Sequence, residues 1–122
     1  MKTQEVADRL VAMCRQGQNM EAIDELYADD ITSREMPGVP EEVISGIDGV
    51  RKKSEQWFAN VQEFHSGDIS DPVVAGNHFT CKMSFDITFK DHGRQQMEEL
   101  CLYEAKDGKI INEQFFYEVP PQ

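Results

Sequence analysis

An α+β fold, with three helices followed by a largely antiparallel sheet, is what this chain predicts, and three observations predict it. Apolar residues recur at helical spacing up to about residue 61. The period then drops to two over residues 78–90, and two Gly-closed turns, Asp91-His92-Gly93 and Lys106-Asp107-Gly108, join that run to two further strand-like segments.

Thr3 suits the cap of a first helix, along which Val6, Leu10, Met13 and Cys14 form one stripe until Gly17 supplies a left-handed stop. Asn19 suits the cap of a shorter second helix through Tyr27, burying Met20, Ile23, Leu26 and Tyr27. The two form a helical hairpin. In ADDITSREMPGVPEEVISG, Pro37, Gly38 and Pro40 exclude a regular helix, so a short strand runs into an irregular loop of the kind that borders pockets. A third helix runs from about Asp48 to Val61, with Val50, Trp57, Phe58 and Val61 as its apolar face.

Residues 62–71 read as a weak strand. The next run alternates cleanly, placing Phe79, Cys81, Met83, Phe85, Ile87 and Phe89 on one dry face. Both turns suit three-residue loops, which pair odd positions with odd; Asp-Gly alone would also suit a two-residue loop. On the three-residue register Met97, Glu99, Cys101, Tyr103, Ile111, Glu113, Phe115 and Tyr117 join the dry face. Leu100, Leu102, Ile110 and Phe116 then form a smaller apolar patch on the other side. Such a patch needs covering, and a sheet-to-sheet homodimer covers it; a local loop or terminus is the alternative.

With 122 residues the chain reads as one domain, 1–122, large enough for a core without staples. Its net charge of -11 repels phosphates and anionic lipid, which argues against nucleic-acid and membrane partners. Arg51-Lys52-Lys53 reads as a solvated helix face. Three cysteines, Cys14, Cys81 and Cys101, without C-x-x-C spacing indicate neither a disulfide framework nor a zinc ribbon and fit a reducing cytoplasm. No signal peptide or membrane-length apolar run is expected, and His65, His78 and His92 lack metal-ligand spacing, so no metal site or cofactor is assigned.

Two helices, a break, a third helix and a curved sheet within about 120 residues resemble the nuclear transport factor 2-like superfamily, and its SnoaL-like branch in particular. LYADDITSREMP looks like that family's helix-to-strand junction, SGIDGVRKKSEQWFANV like its third helix, and LCLYEAKDGKIINEQFF like its final hairpin. The resemblance implies a cone-shaped half-barrel, a curved mixed or antiparallel sheet wrapped on the three N-terminal helices, with a pocket inside for a small, mostly apolar molecule. Superfamily enzymes include ketosteroid isomerases, polyketide cyclases and an epoxide hydrolase. The isomerase base falls on Glu35. The isomerase's phenol donor falls on Leu10 and its protonated carboxyl at or beside Cys101, which is also where the cyclases' acid/base Asp falls. The Arg-x-Asp pair of limonene epoxide hydrolase is replaced by Glu99-Leu100-Cys101.

The expected chemistry is proton transfer in an isomerisation, cyclisation or dehydration, with Glu35 as base and Glu99 or Tyr103 as acid. Trp57, Phe58, Met83, Phe85, Cys101, Glu113, Phe115 and Tyr117 are the expected ligand lining. A register shifted by one residue would turn Glu99 and Glu113 to solvent. Cys101 reads as a packed thiol, with Cys81 diagonal to it on the neighbouring strand, and Arg34 as a solvated charge. Tyr27 joins Tyr103 and Tyr117 as a phenol able to donate into the pocket. The rival expectation is a non-catalytic binding or dimerisation module that kept the pocket and lost the reaction at Cys101.

Overall fold

A computed structural model describes residues 1–119. Helix α1 (Thr3–Arg15) buries Val6, Ala7, Leu10, Val11 and Met13, and Gly17, at φ 75°, turns the chain as expected. Its start differs from expectation. The backbone N–H of Lys2 donates to Glu5 Oε1 at 3.0 Å, and Thr3 is already the first helical residue. Helix α2 (Asn19–Leu26) likewise includes Asn19 instead of being capped by it, and the Asn19 amide donates to Cys14 Sγ at 3.5 Å.

Strand β1 (Tyr27–Arg34) follows directly, then an irregular loop and β2 (Val43–Ser45), α3 (Ile47–Ala59), β3 (Val61–Ile69) and β4 (Val73–Ala75). The long strands β5 (His78–Phe89), β6 (Gly93–Lys106) and β7 (Lys109–Phe116) complete the sheet. Its order is β2-β1-β7-β6-β5-β3, with β4 beside β5; every pairing is antiparallel except β1 with β7. This is the expected cone-shaped half-barrel, a curved, unclosed mixed sheet against three helices. No helix among the described residues is long and apolar enough to cross a membrane.

Helix α3 departs from its expected packing. Only Val50 is fully buried, Trp57 and Phe58 keep 37% and 40% exposure, and Val61 opens β3 instead of closing the helix. Beyond Val50 the helix leaves the core and lays Trp57 against the rings of Phe89 and Phe85, 5.6 and 6.2 Å away between centroids.

The turns decide which side chains face inward. Phe89 pairs with Gly93 across Lys90-Asp91-His92, with Gly93 at φ 75°, so odd positions meet odd along β5 and β6. The second turn is tighter than expected. Lys106 pairs with Lys109 across Asp107-Gly108 alone, at φ 52° and 80°, the all-positive backbone of a type I′ turn. An irregularity beside Glu104 and Ala105 then inserts one residue into β7 and restores odd-with-odd pairing at Tyr103–Glu113 and Cys101–Phe115. Two expectations change as a result. Ile110 is fully buried in the core, whereas Ile111 is only half-buried. Leu100, Leu102 and Phe116 remain on the outer face with 52%, 36% and 41% exposure. Cys81 and Cys101 stand directly opposite each other, not diagonally, both buried and with no disulfide between them.

Candidate active site

Strand pairing assembles the concave face in rows. Ser33 on β1 lies beside Glu113 on β7, which lies beside Tyr103 on β6 and then Phe79 on β5; the next rows hold Phe115, Cys101 and Cys81, then Glu99 and Met83, then Met97 and Phe85. Burial falls along these rows. Phe79, Tyr103 and Glu113 are 1%, 3% and 3% exposed, while Phe85, Met97, Glu99, Phe115 and Tyr117 are half-buried. Solvent therefore reaches the inner face where Glu99 stands.

At the dry end, Glu113 is held by two hydroxyls. Tyr27 donates to Oε1 at 2.5 Å and Ser33 to Oε2 at 2.7 Å. Burial raises the Glu113 carboxyl above its ordinary range, against the pull of these two donors and of Lys53. The same burial, reinforced by the Glu113 charge, pushes the Tyr27 phenol well up.

Nearer solvent, Glu35 follows the end of β1 and accepts on both oxygens: Lys53 Nζ lies 3.0 Å from Oε1, and the Tyr117 hydroxyl donates to Oε2 at 3.2 Å. Lys53 also donates to Ser33 Oγ at 3.4 Å and lies 5.4 Å from the centre of the Phe115 ring. The Lys53–Glu35 pair is largely out of water, with side-chain exposures of 19% and 17%. Tyr117 is pushed up to about 12 by burial and by the Glu35 charge.

Glu99 stands apart from these pairs. Its one hydrogen-bond donor among the described residues is the Cys101 thiol, at 3.8 Å from Oε1. Burial, with the Glu35 charge second, pushes its carboxyl up to about 7. A carboxyl with that pKa divides between acid and base near neutral pH, as a proton-transfer group must. Cys101 itself is driven to the thiol form, first by its hydrogen bond with Cys81 and then by burial.

The structure thus brings together Glu35, Glu99, Glu113, Phe115 and Tyr117, with Met83 and Cys101 packed behind them. Trp57 and Phe58, in edge-to-face contact at 5.0 Å, flank the face from α3. Tyr103 lies deeper, stacked on Phe79 at 4.8 Å, with its phenol raised well above the ordinary value by burial. Arg34 is exposed, as expected. Lys53 is the correction: expected on a solvated basic face, it turns into the site. Its place three residues after Val50 and four before Trp57, on one helical stripe, was the available signal. Surface grooves of about 650 and 410 Å³ lie elsewhere, around the start of α1 and along it beside Pro72. Neither is lined by Glu35, Glu99 or Glu113.

Comparison with known proteins agrees with this architecture. The family described as SnoaL-like domain matches residues 1–117. A crystal structure from Mesorhizobium loti, a candidate SnoaL-like polyketide cyclase, is 38% identical with a TM-score of 0.90, covering 96% of this chain and 100% of that one. A protein of ketosteroid isomerase-like fold from Catenulispora acidiphila, in complex with trimethylamine, is 19% identical with a TM-score of 0.73, covering 94% and 86%. An LEH-like epoxide hydrolase of M. tuberculosis is 14% identical with a TM-score of 0.71, covering 95% and 82%. These last two share the fold alone. A search of curated proteins finds no match.

Proposed function

The chain belongs to the SnoaL-like branch of the nuclear transport factor 2-like superfamily, and from that premise we propose that it moves a proton on a small, mostly apolar carbonyl compound. The observation that carries this reading is Glu99, a half-buried carboxyl with a pKa near 7 on an otherwise apolar stretch of the inner face. Its carboxylate takes a proton from the carbon beside the carbonyl. The C–H electron pair moves into the carbonyl system as an enolate, and the protonated Glu99 returns the proton to the same or a neighbouring carbon. Such a step serves isomerisation, cyclisation or dehydration alike. Glu35, with both oxygens occupied by Lys53 and Tyr117, acts as the fixed second carboxylate that orients Lys53 and raises Glu99. Phe85, Phe115, Trp57 and Phe58 supply the apolar lining.

Exchange of the α-hydrogens of 1-indanone in deuterium oxide, followed by proton NMR, tests this without the natural substrate. Glu99→Gln is expected to slow exchange about 100-fold or more, and Glu35→Gln about ten-fold. The reverse order would return the base to Glu35. No exchange with the wild-type protein would leave the binding module, which the thiol of Cys101 at the family's acid position favours.

A homodimer through the outer sheet face belongs to the same proposal. Leu100 stands beside Phe116, and Leu102 lies two residues further along β6, all three part-exposed. Light scattering at micromolar concentration is expected to give twice the chain mass. Leu102→Lys with Phe116→Lys is expected to give monomers, since it would bury two charges from each protomer in an apolar interface. A wild-type monomer would refute the dimer. The free thiols of Cys14, Cys81 and Cys101 support the cytoplasm as its compartment.

A further inference from the structure

We propose that Lys53 is the group that holds the substrate oxygen, an ammonium placed to receive negative charge as the carbonyl becomes an enolate. This rests on the proton-transfer reading of the same site. An enolate formed beside the Glu35 carboxylate would be repelled unless a cation or strong donors met it. The positions where the resemblance puts such donors cannot serve: Leu10 is a core side chain with 1% exposure, and Cys101 carries a weakly donating thiol.

Lys53 fills that gap by position. Its ammonium is fixed from three sides, by Glu35 Oε1 at 3.0 Å, Ser33 Oγ at 3.4 Å and the Phe115 ring at 5.4 Å. Ser33 in turn donates to Glu113, so the buried acid anchors the lysine through one hydroxyl. An ammonium has three N–H donors, and Glu35 and Ser33 take two of them among the described residues. The third can meet a ligand oxygen, and the 19% exposure of the side chain keeps much of the competing water away.

The charges balance through the step. When Glu99 takes the α-proton it becomes neutral, and the charge it loses appears on the substrate oxygen, so the site gains no net charge. With Glu35 and the base form of Glu99 both negative against one lysine, the site disfavours an acid as substrate. The chemical class that fits is a neutral, enolisable ketone whose apolar body lies against Phe85 and Phe115.

2-Naphthol, whose ionised form mimics an enolate, tests the assignment by its ultraviolet absorption. Wild-type protein is expected to bind it at pH 8 as the naphtholate. Lys53→Met and Lys53→Gln, each checked for folding by circular dichroism, are expected to bind at least ten-fold more weakly and without the naphtholate band, and Lys53→Arg to retain it. Glu99→Gln is expected to bind naphtholate at least as tightly as wild type while losing indanone exchange. Bound neutral naphthol in the wild type, or an undiminished naphtholate band in both neutral Lys53 variants, would overturn the proposal. Naphtholate capture by Lys53 in a wild-type protein that exchanges no indanone would sustain Lys53 as the oxygen-binding group and remove the proton-transfer reading alone.

Discussion

Glu113→Ala is expected to lower the unfolding free energy by about 3 kcal/mol at pH 7, because it leaves the Tyr27 and Ser33 hydroxyls buried with no acceptor. Each unsatisfied group costs roughly 1–3 kcal/mol, and the relief of no longer burying a carboxyl offsets part of the sum. Glu113→Gln keeps an acceptor oxygen and is expected to cost about 1 kcal/mol. Urea unfolding of the three proteins measures the difference. Equal stability of Glu113→Ala and wild type would mean that the two hydroxyls find other partners and that Glu113 does not organise the dry end of the site.

Glu99 should leave its mark on the pH dependence of stability. Its folded pKa of about 7 lies above the ordinary 4.5. A carboxyl shifted in this direction binds its proton more tightly in the folded chain. Its favourable contribution is complete below about pH 4.5 and is lost as pH rises through about 7. The loss amounts to roughly 3 kcal/mol by pH 8. Glu99→Gln, which cannot ionise, is therefore expected to remove that decline and to exceed the wild type at pH 8 by roughly 3 kcal/mol, relative to the difference between them at pH 4. Unfolding curves at pH 4, 6 and 8 check it. A parallel pH dependence in both proteins would show that Glu99 ionises without hindrance and would remove it as the proton carrier.

The fold was legible because it rests on periodicity and turn chemistry, which are local. The alternation from Phe79 to Phe89 and the glycine at position 93 set the β5–β6 register. The next hairpin shows how a right result can rest on a wrong step. Asp107-Gly108 made the shorter loop, and only the added residue in β7 put Glu113 and Phe115 back on the inner face. Nothing local in KIINEQFF distinguishes the two routes, since Ile110 and Ile111 are chemically alike. Glu99 and Glu113 were legible because strand register places them, and Glu35, just past the end of β1, because the family resemblance pointed to it. The site's cation was not: Arg51, Lys52 and Lys53 look equivalent as a run, and only the helical stripe through Val50 and Trp57 separates the third from the others. Ser33 was missed for a different reason. Its partner Glu113 is 80 residues away, and the parallel β1–β7 pairing that joins them has no signature within either segment.

That pairing also orders the birth of the protein on the ribosome. β7 is the last of the described strands in sequence yet lies between β1 and β6 in the sheet. Until residues 109–116 leave the exit tunnel, a nascent chain carries two open strand edges where β7 belongs, and the hydroxyls of Tyr27 and Ser33 await their acceptor. The helical hairpin and the β5–β6 hairpin can form early from near neighbours, whereas the site and the continuous sheet arrive together in one late, long-range event. A polypeptide stalled before residue 109 should therefore be open to holdase chaperones and proteases, and emergence of residues 109–116 should end that exposure in a single step.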